Sequence, residues 1–151
     1  MLKKILFTAF LALSLSAAAL NENSVVENLK IKDQHEVEHT IDANVKTILF
    51  ASDKGTSDIL KEYLLSKDAD ILTRNNAVYV ADISGMPSLI SKFIALPKMK
   101  KYPFSVLLID DSNKDNFTKE DGKIIVYHLD NLKVTSITTI STDKDLAELL
   151  K

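Results

Sequence analysis

Five short apolar runs, each ended by polar or turn-forming residues, are spaced along the chain between positions 46 and 140. Runs of about four to eight residues, rich in Val, Ile, Leu and Phe and bounded in this way, predict β-strands. The second and third runs are almost unbroken in apolar character, which is typical of strands covered on both faces. The predicted strands are Lys46–Ala51, Ala77–Ile83, Phe104–Ile109, Lys123–Leu129 and Lys133–Ile140.

Two helices are predicted between the first three strands. In the first, apolar residues recur at helical spacing from Ile59 to Leu64, and Thr56 or Ser57 is the expected N-cap, with Asp58 in the first turn. The second is predicted over Ser88–Leu96 and ends before Pro97, because proline cannot continue a helix without losing a hydrogen bond. Its apolar residues at helical spacing are Leu89, Ile90, Phe93 and Ile94.

The two ends of the chain add a hairpin each. Leu29–Ile41 predicts a short hairpin with its turn at Gln34–Glu36, and Asp130–Asn131 is the predicted turn between the last two strands. Ser141 or Thr142 would cap a closing helix that faces inward through Leu146, Leu149 and Leu150. This order of elements predicts an α/β fold, a mixed central sheet flanked by helices and joined by right-handed crossovers.

The first residues have the three-part organisation of a secretory signal peptide. Lys3 and Lys4 form a basic start, an apolar run extends from Ile5 to Leu15, and Ala17–Ala19 matches an A-x-A cleavage site. A run this short cannot span a hydrocarbon core of about 30 Å, so removal is favoured over a retained membrane anchor. We therefore expect a signal peptide at residues 1–19 and one soluble, periplasmic domain at residues 20–151.

The composition excludes several classes of function. The chain contains no cysteine, which excludes disulfides, CxxC redox catalysis, thiol peroxidase chemistry, iron–sulfur clusters and thiolate zinc sites. Three glycines are too few for a GxGxxG motif or a P-loop. The chain is mildly acidic, with 19 Lys and Arg against 21 Asp and Glu and a single arginine, so nucleic acid is not an expected partner.

Four segments of the chain carry a family resemblance: LKIKDQHEVEHTID before KTILFASDKGTSD, then YPFSVLLIDDSN and GKIIVYHLDNLKVTSI. They resemble the redoxin and peroxiredoxin branch of the thioredoxin-like superfamily. The stretch AVYVADISGMPSLISKFIALPKMKKYPFSVLLID is similar to a small family of exported proteobacterial thioredoxin-like proteins, some of which carry the label FAD/FMN-containing dehydrogenase. The resemblance covers nearly all of the predicted mature chain and implies a thioredoxin-like, redoxin-type fold.

The chain departs from this pattern at the reactive position. In thioredoxin-like enzymes the cysteine lies where the first core strand meets its helix, because the helix N-terminus stabilises a thiolate. Here that position falls within Asp53–Ser57, which has no sulfur. The resemblance also offers two interpretations of Pro103: the cis-proline loop of thioredoxins, or the start of a strand inserted in redoxins. Since only about 5% of X–Pro bonds are cis, we expect a trans bond.

The candidate binding residues follow the carboxyl ends of two strands, where open α/β sheets place ligand crevices. The start of the first helix, Lys54–Thr56, would offer free N–H groups to an anion. The alternative is that these residues are only turn formers and helix caps. The candidate ligand- or partner-binding residues are Lys54, Gly55, Thr56, Asp82, Ser84, Gly85, Met86, Pro87, Tyr102 and Pro103.

An apolar lip for a partner is a further hypothesis, formed by Met86, Phe93, Met99 and Tyr102. For Phe93, packing in the core is the favoured interpretation, whereas Met99 and Tyr102 lie among lysines and are expected to be exposed.

Metal sites are not predicted. His35 and His39 lie four apart beside two glutamates, but a turn between them would separate their side chains, and nothing supplies a fixed set of four ligands. The acidic loop within 110–122, which includes Asp115, lacks the spacing of an EF-hand, so we expect it to be solvated.

Two functions remain open from the sequence. The first is a non-redox, thioredoxin-like module that binds a protein or a small ligand at the former active-site face. The second is an enzyme that uses a bound cofactor, with flavin implied by the family label. A flavoenzyme would be yellow when purified, and the chain has no dinucleotide fingerprint.

Overall fold

The computed structural model describes residues 19–26, 29–111, 113 and 116–151. The predicted signal peptide lies outside the described residues apart from Ala19, as does Asp115. Among the residues that the structure describes, no helix has the length and apolar character needed to cross a membrane. The elements are β1 (Lys30–Lys32), β2 (Glu38–Thr40), β3 (Thr47–Ala51), α1 (Lys54–Leu65), α2 (Ile71–Arg74), β4 (Ala77–Asp82), α3 (Ser88–Ile90), a π-helical turn (Ser91–Ala95), α4 (Leu96–Met99), β5 (Val106–Ile109), β6 (Ile124–Asp130), β7 (Lys133–Ile140) and α5 (Asp143–Leu149).

The central sheet has five strands in the order β5-β4-β3-β6-β7. Strands β3, β4 and β5 run parallel, whereas β6 and β7 are antiparallel to their neighbours. The predicted mixed α/β sheet is confirmed, and each of its strands lies within two residues of its predicted limits. Because β3 and β4 are parallel neighbours, their carboxyl ends meet at one edge of the sheet.

Apolar side chains cover both faces of this sheet. On one face, Leu49 and Tyr79 belong to a core that includes residues of α1, α2 and α5. On the other face, Ile48 and Phe50 are fully buried in a core closed by the N-terminal hairpin and the loop before β6. In that second core, the ring of Phe117 stacks on Phe50 with a centroid separation of 4.8 Å.

Helix α1 begins earlier than predicted. Its N-cap is Asp53, not Thr56 or Ser57, and Asp58 lies beyond the first turn. Asp53 is extended, with φ −136°, and its Oδ1 accepts the N–H of Thr56 at 2.8 Å. An aspartate side chain is a strong acceptor for these N–H groups, so the helix extends back to Lys54.

The second predicted helix differs more. Residues 88–99 form one continuous helical segment, α3, the π-helical turn and α4, which passes through Pro97 instead of ending before it. Within the turn, the N–H of Leu96 donates to the carbonyl of Ser91, five residues earlier. Pro97 lies in the first turn of α4, where a missing N–H is tolerated, and the wider π-helical turn precedes it. We refer to these residues as the 88–99 segment.

The terminal elements match the prediction with one shift. The β6–β7 turn lies at Asn131 and Leu132, one residue later than predicted, and both have positive φ (47° and 69°), as a type I′ turn requires. Of the two predicted caps, Thr142 is the N-cap of α5, in a capping box with Asp145. Leu146 is fully buried, as expected of the inward face.

A buried side-chain amide joins the N-terminal hairpin to the first residue of β5 and to residues shortly before it. The side chain of Gln34 donates to the carbonyls of Phe104 (2.8 Å) and Met99 (3.2 Å), and its Oε1 accepts the N–H of Val106 (2.8 Å). No peptide bond of the described residues is cis, so Pro103 follows a trans bond, and it precedes β5 at the sheet edge. This position agrees with the inserted-strand interpretation of Pro103.

Candidate binding cleft

A cleft of about 540 Å³ opens at the carboxyl ends of β3 and β4. Helix α1 forms one wall, the 88–99 segment forms the other, and Tyr79 and Ala81 of β4 lie at the bottom together with Val106 of β5. The cleft lies at the edge of the sheet where the sequence places its candidate residues. It is a position that open α/β sheets commonly use for ligands.

The start of α1 holds an anion that the chain itself supplies. Oδ1 of Asp53 accepts the N–H of Thr56, and Oδ2 accepts the N–H of Gly122 at 2.8 Å. These backbone hydrogen bonds hold the pKa of Asp53 below its ordinary value. The hypothesis that Lys54–Thr56 offers free N–H groups to an external anion is therefore wrong for Thr56, whose N–H is already used.

A carboxylate–lysine pair lies at the end of β4. The side chain of Asp82, at the end of β4, is 1% exposed, and its Oδ2 lies 2.9 Å from Nζ of Lys119. Its Oδ1 accepts the N–H of Ser84 at 2.8 Å. Burial raises the pKa of Asp82, but the hydrogen bonds from Ser84 and Lys119 outweigh burial and keep the pKa below its ordinary value. Lys119 thus lies beside Asp82 and Ser84 at the rim.

Asp58 and Tyr79, two other polar residues of the cleft, are also bonded within the chain. Asp58 of α1 accepts from Lys54 at 2.7 Å and from Lys61 at 3.3 Å. Burial raises the pKa of Tyr79 to about 12, despite its hydrogen bond with Ser57, so this phenol stays neutral. Among the described residues, the three carboxylates that line the cleft accept hydrogen bonds within the chain, and no histidine is part of the lining.

The structure separates the predicted site residues into two groups. The cleft is lined by five of them: Lys54, Asp82, Gly85, Met86 and Tyr102. Outside the lining lie Gly55, Thr56, Ser84, Pro87 and Pro103. Thr56 is buried and bonded to Asp53, whereas Pro87 and Pro103 are exposed. Residues that the sequence did not point to include Asp53, Ser57, Asp58, Ile90, Ile94 and Lys119.

The expectation that Phe93 packs in the core is wrong, because its side chain is 66% exposed. Leu89, Ile90 and Ile94 are also exposed, at 70%, 44% and 54%. Tyr79, Tyr102 and Phe104 form an aromatic cluster of their own, in which the ring of Tyr102 lies 5.3 Å from that of Phe104. The four apolar side chains of the segment lie in solvent. We call Leu89, Ile90, Phe93 and Ile94 the apolar strip.

The apolar lip of the sequence hypothesis is present in a different form. Met86, Met99 and Tyr102 line the cleft and are each partly buried. Phe93 lies on the same segment but outside the lining, while Ile90 and Ile94 of the apolar strip replace it there. The apolar strip is therefore continuous with the cleft wall.

The histidines do not form a metal site. Nε2 of His39 lies 2.7 Å from Oδ2 of the buried Asp33, whereas His35 is exposed on the turn. Asp33 also accepts the N–H groups of His35 and Val37, so its carboxylate organises the hairpin. In the described part of the chain, no group of three or more His, Asp or Glu side chains is arranged to hold a metal ion.

A second, shallower cleft of about 420 Å³ lies between α1 and the start of α5. It is lined by residues such as Tyr63 and Thr142 and includes none of the predicted site residues.

The fold was compared with known proteins. No protein-family model and no curated protein sequence matches the chain. The thioredoxin domain of a thiol-disulfide oxidoreductase from Bacteroides vulgatus matches at TM-score 0.52 and 13% identity, over 88% of this chain and 100% of that one. A thio-disulfide isomerase from Thermus thermophilus matches at TM-score 0.50 and 17% identity (85% and 94%). A hypothetical protein from Sinorhizobium meliloti matches at 0.53 and 14% (85% and 81%).

These similarities define the class of fold: the chain is thioredoxin-like. At such identities the comparison concerns the fold alone. Two of the three similar proteins are named for thiol–disulfide chemistry, whereas this chain has no cysteine to perform it. At the position where a thiolate is expected, the N-terminus of α1 instead carries the fixed carboxylate of Asp53.

The Asp53 carboxylate leads to a prediction about acid stability. Because the pKa of Asp53 in the folded chain lies below the ordinary value, the unfolded chain binds more protons near pH 3. The free energy of unfolding therefore decreases as the pH is lowered in that range. The stabilisation from Asp53 is complete above the unfolded pKa of about 3.9 and is lost as the pH drops through the folded pKa. We expect Asp53→Asn to lower the free energy of unfolding by about 1 kcal/mol at pH 7 and to weaken its acid dependence.

The measurement is urea unfolding between pH 7 and pH 2.5, followed by circular dichroism. The exposed Asp143→Asn variant is the control, because it removes one charge without removing a carboxylate that joins α1 to Gly122. An Asp53→Asn curve parallel to that of the unmodified chain over the whole range would show that this carboxylate does not bridge the two segments.

Proposed function

We propose that this chain is a cysteine-free thioredoxin-like binding module, which recognises a partner protein or a small ligand at the former active-site end. The observation that carries the proposal is the apolar strip beside the cleft. Scattered exposed apolar residues are ordinary on a protein surface, but neighbouring large ones beside a cavity are typical of recognition surfaces. Phenylalanine and methionine are favoured at such contacts.

The chemistry of the cleft supports binding over catalysis. Disulfide exchange and peroxide reduction need a sulfur nucleophile, and the chain contains none. Serine is a very weak acid and needs a neighbouring base, yet the carboxylates of Asp53, Asp58 and Asp82 are held by hydrogen bonds or lysines. Neither the fold nor the similar structures favour the flavoenzyme alternative.

The proposal includes an exported location. The basic start, the apolar run and the A-x-A site of residues 1–19 support secretion to the periplasm and cleavage there. Cell fractionation and N-terminal sequencing of the purified protein test this part. Retention of the uncleaved chain in the cytoplasm would contradict it.

The binding role predicts a specific effect of Phe93→Asp. A photoreactive amino acid replaces Ile94, on the cleft wall, and the protein is expressed in bacteria that have a periplasm. We expect it to form discrete cross-linked products with partner proteins there. Phe93→Asp places a carboxylate in the apolar strip, and this charge loses its hydration when a partner covers the strip. Because that loss is unfavourable, we expect the amount of cross-linked product to decrease at least about tenfold in this variant. The position is 66% exposed, so the fold should be retained, which circular dichroism checks.

The matched control is Leu65→Asp, at the far end of α1, where the side chain is 47% exposed. This variant should leave the products unchanged. Equal products in both variants, or an equally strong pattern from a photoreactive residue at position 65, would contradict the proposed binding role of the strip.

A further inference from the structure

We infer that the cleft and the apolar strip recognise an acidic segment of polypeptide that also carries apolar side chains; this inference rests on the proposed function. Its basis is the charge of the stretch from Ser88 to Lys101. The stretch holds Lys92, Lys98, Lys100 and Lys101 and no aspartate or glutamate, in a chain whose overall charge is −2. The basic residues are therefore concentrated next to the apolar strip.

These four lysines differ from the three lysines of the cleft that face a carboxylate. Lys54 and Lys61 both pair with Asp58, and Lys119 pairs with Asp82. By contrast, none of the four lysines makes an ion pair with another residue in the part of the chain that the structure describes. Two of the four lie beside the cleft and the apolar strip: Lys98 lines the cleft, and Nζ of Lys92 lies 5.8 Å from the ring centroid of Phe93. The surface formed by the cleft and the apolar strip thus has uncompensated positive charge.

A partner that covers the surface must bury apolar side chains and supply negative charge at the same time. Burying Phe93 and Ile94 removes apolar area from water, which is favourable. The same contact brings the partner close to Lys92 and Lys98, where carboxylates are attracted and lysines are repelled. Aspartate or glutamate residues flanking leucine, phenylalanine or isoleucine in the partner satisfy both requirements.

The shape of the surface favours a polypeptide over a lipid bilayer. A basic, apolar helix also fits an anionic membrane surface, which would contact the outer side of the segment. Here, however, Ile90 and Ile94 line a concave cleft that extends to the buried Tyr79. A flat bilayer surface cannot fill this cleft, whereas a side chain of a peptide can.

The test uses three synthetic fluorescent peptides with the same leucine and phenylalanine positions. In the first, the positions between them are glutamate; in the second, glutamine; in the third, lysine. We expect the glutamate peptide to bind at least about tenfold more tightly than the glutamine peptide and the lysine peptide to bind least, with affinity falling as salt is raised. Fluorescence anisotropy measures each Kd.

Reversing the charge of the 88–99 segment should reverse the order of affinities for the glutamate and lysine peptides. The double variant Lys92→Glu/Lys98→Glu is expected to bind the glutamate peptide about tenfold more weakly and to gain affinity for the lysine peptide. Lys144→Glu, on the exposed surface of α5, is the matched control and should change neither Kd. Circular dichroism of all variants establishes that they are folded.

The other outcomes overturn the inference in distinguishable ways. If the glutamate and glutamine peptides bind equally and both lose binding in Phe93→Asp, the acidic specificity is wrong and the binding role stands. Peptide binding that Phe93→Asp does not alter contradicts the binding role as well. If vesicles containing phosphatidylglycerol bind and no peptide does, the surface recognises a membrane. If nothing binds, the inference is wrong.

Discussion

Ile48→Ala is expected to lower the free energy of unfolding by about 2–4 kcal/mol. Ile48 is fully buried in β3, the middle strand of the sheet, where it is paired with Val78 on one side and Tyr127 on the other. Truncation removes three carbon atoms from a closely packed core and leaves a cavity that the surrounding strands cannot easily close. Urea unfolding followed by circular dichroism measures the loss.

The control for this prediction is Val37→Ala on the N-terminal hairpin, where the side chain is 54% exposed. That change should alter stability by less than about 0.5 kcal/mol. An unfolding midpoint of Ile48→Ala that coincides with that of Val37→Ala would mean that the register of β3 is wrong.

Gln34→Ala should cost about 3 kcal/mol, since it leaves buried backbone groups without partners. The Gln34 amide is 1% exposed and satisfies the carbonyl of Phe104 and the N–H of Val106, with a longer bond to the carbonyl of Met99. Because Met99 lines the cleft, the same change is expected to increase hydrogen exchange in residues 99–106.

The neighbouring residue provides a matched control for Gln34. His35 is exposed on the same turn, and His35→Ala should leave both stability and exchange of residues 99–106 unchanged. If Gln34→Ala unfolds the chain completely, Gln34→Asn offers a milder test: it keeps an uncharged amide on a side chain one carbon shorter, and it should still accelerate exchange in this segment. Unaltered exchange in both Gln34 variants would contradict the anchoring role.

The sheet was predictable because its strands are encoded locally. Uninterrupted apolar runs such as Ala77–Ile83 predicted strands that are buried on both faces, and the turns between them are marked by residues such as Asn131. The position of the cleft was also predictable, since it follows from the parallel order of β3 and β4. These features depend on short-range patterns and on general topology.

The walls of the cleft were less predictable, because they depend on contacts between distant residues. Asp82 is paired with Lys119, and Asp53 is bonded to Gly122, although long stretches of sequence separate these residues. The spacing of Leu89 and Phe93 predicted a helix correctly, but an apolar stripe is the same whether the core or a partner covers it. Sequence periodicity therefore could not decide whether Phe93 is buried.

In the proposed function, a thioredoxin-like fold without cysteine uses its former active-site end as a recognition surface. An amide chemical-shift map of the isotope-labelled protein, recorded as the partner isolated through the Ile94 cross-link is added, locates the surface that binds. We predict the largest changes in residues 52–58 and 82–99, around the cleft. Changes confined to α5, β7 and the second cleft, with residues 82–99 unaffected, would contradict the proposed function.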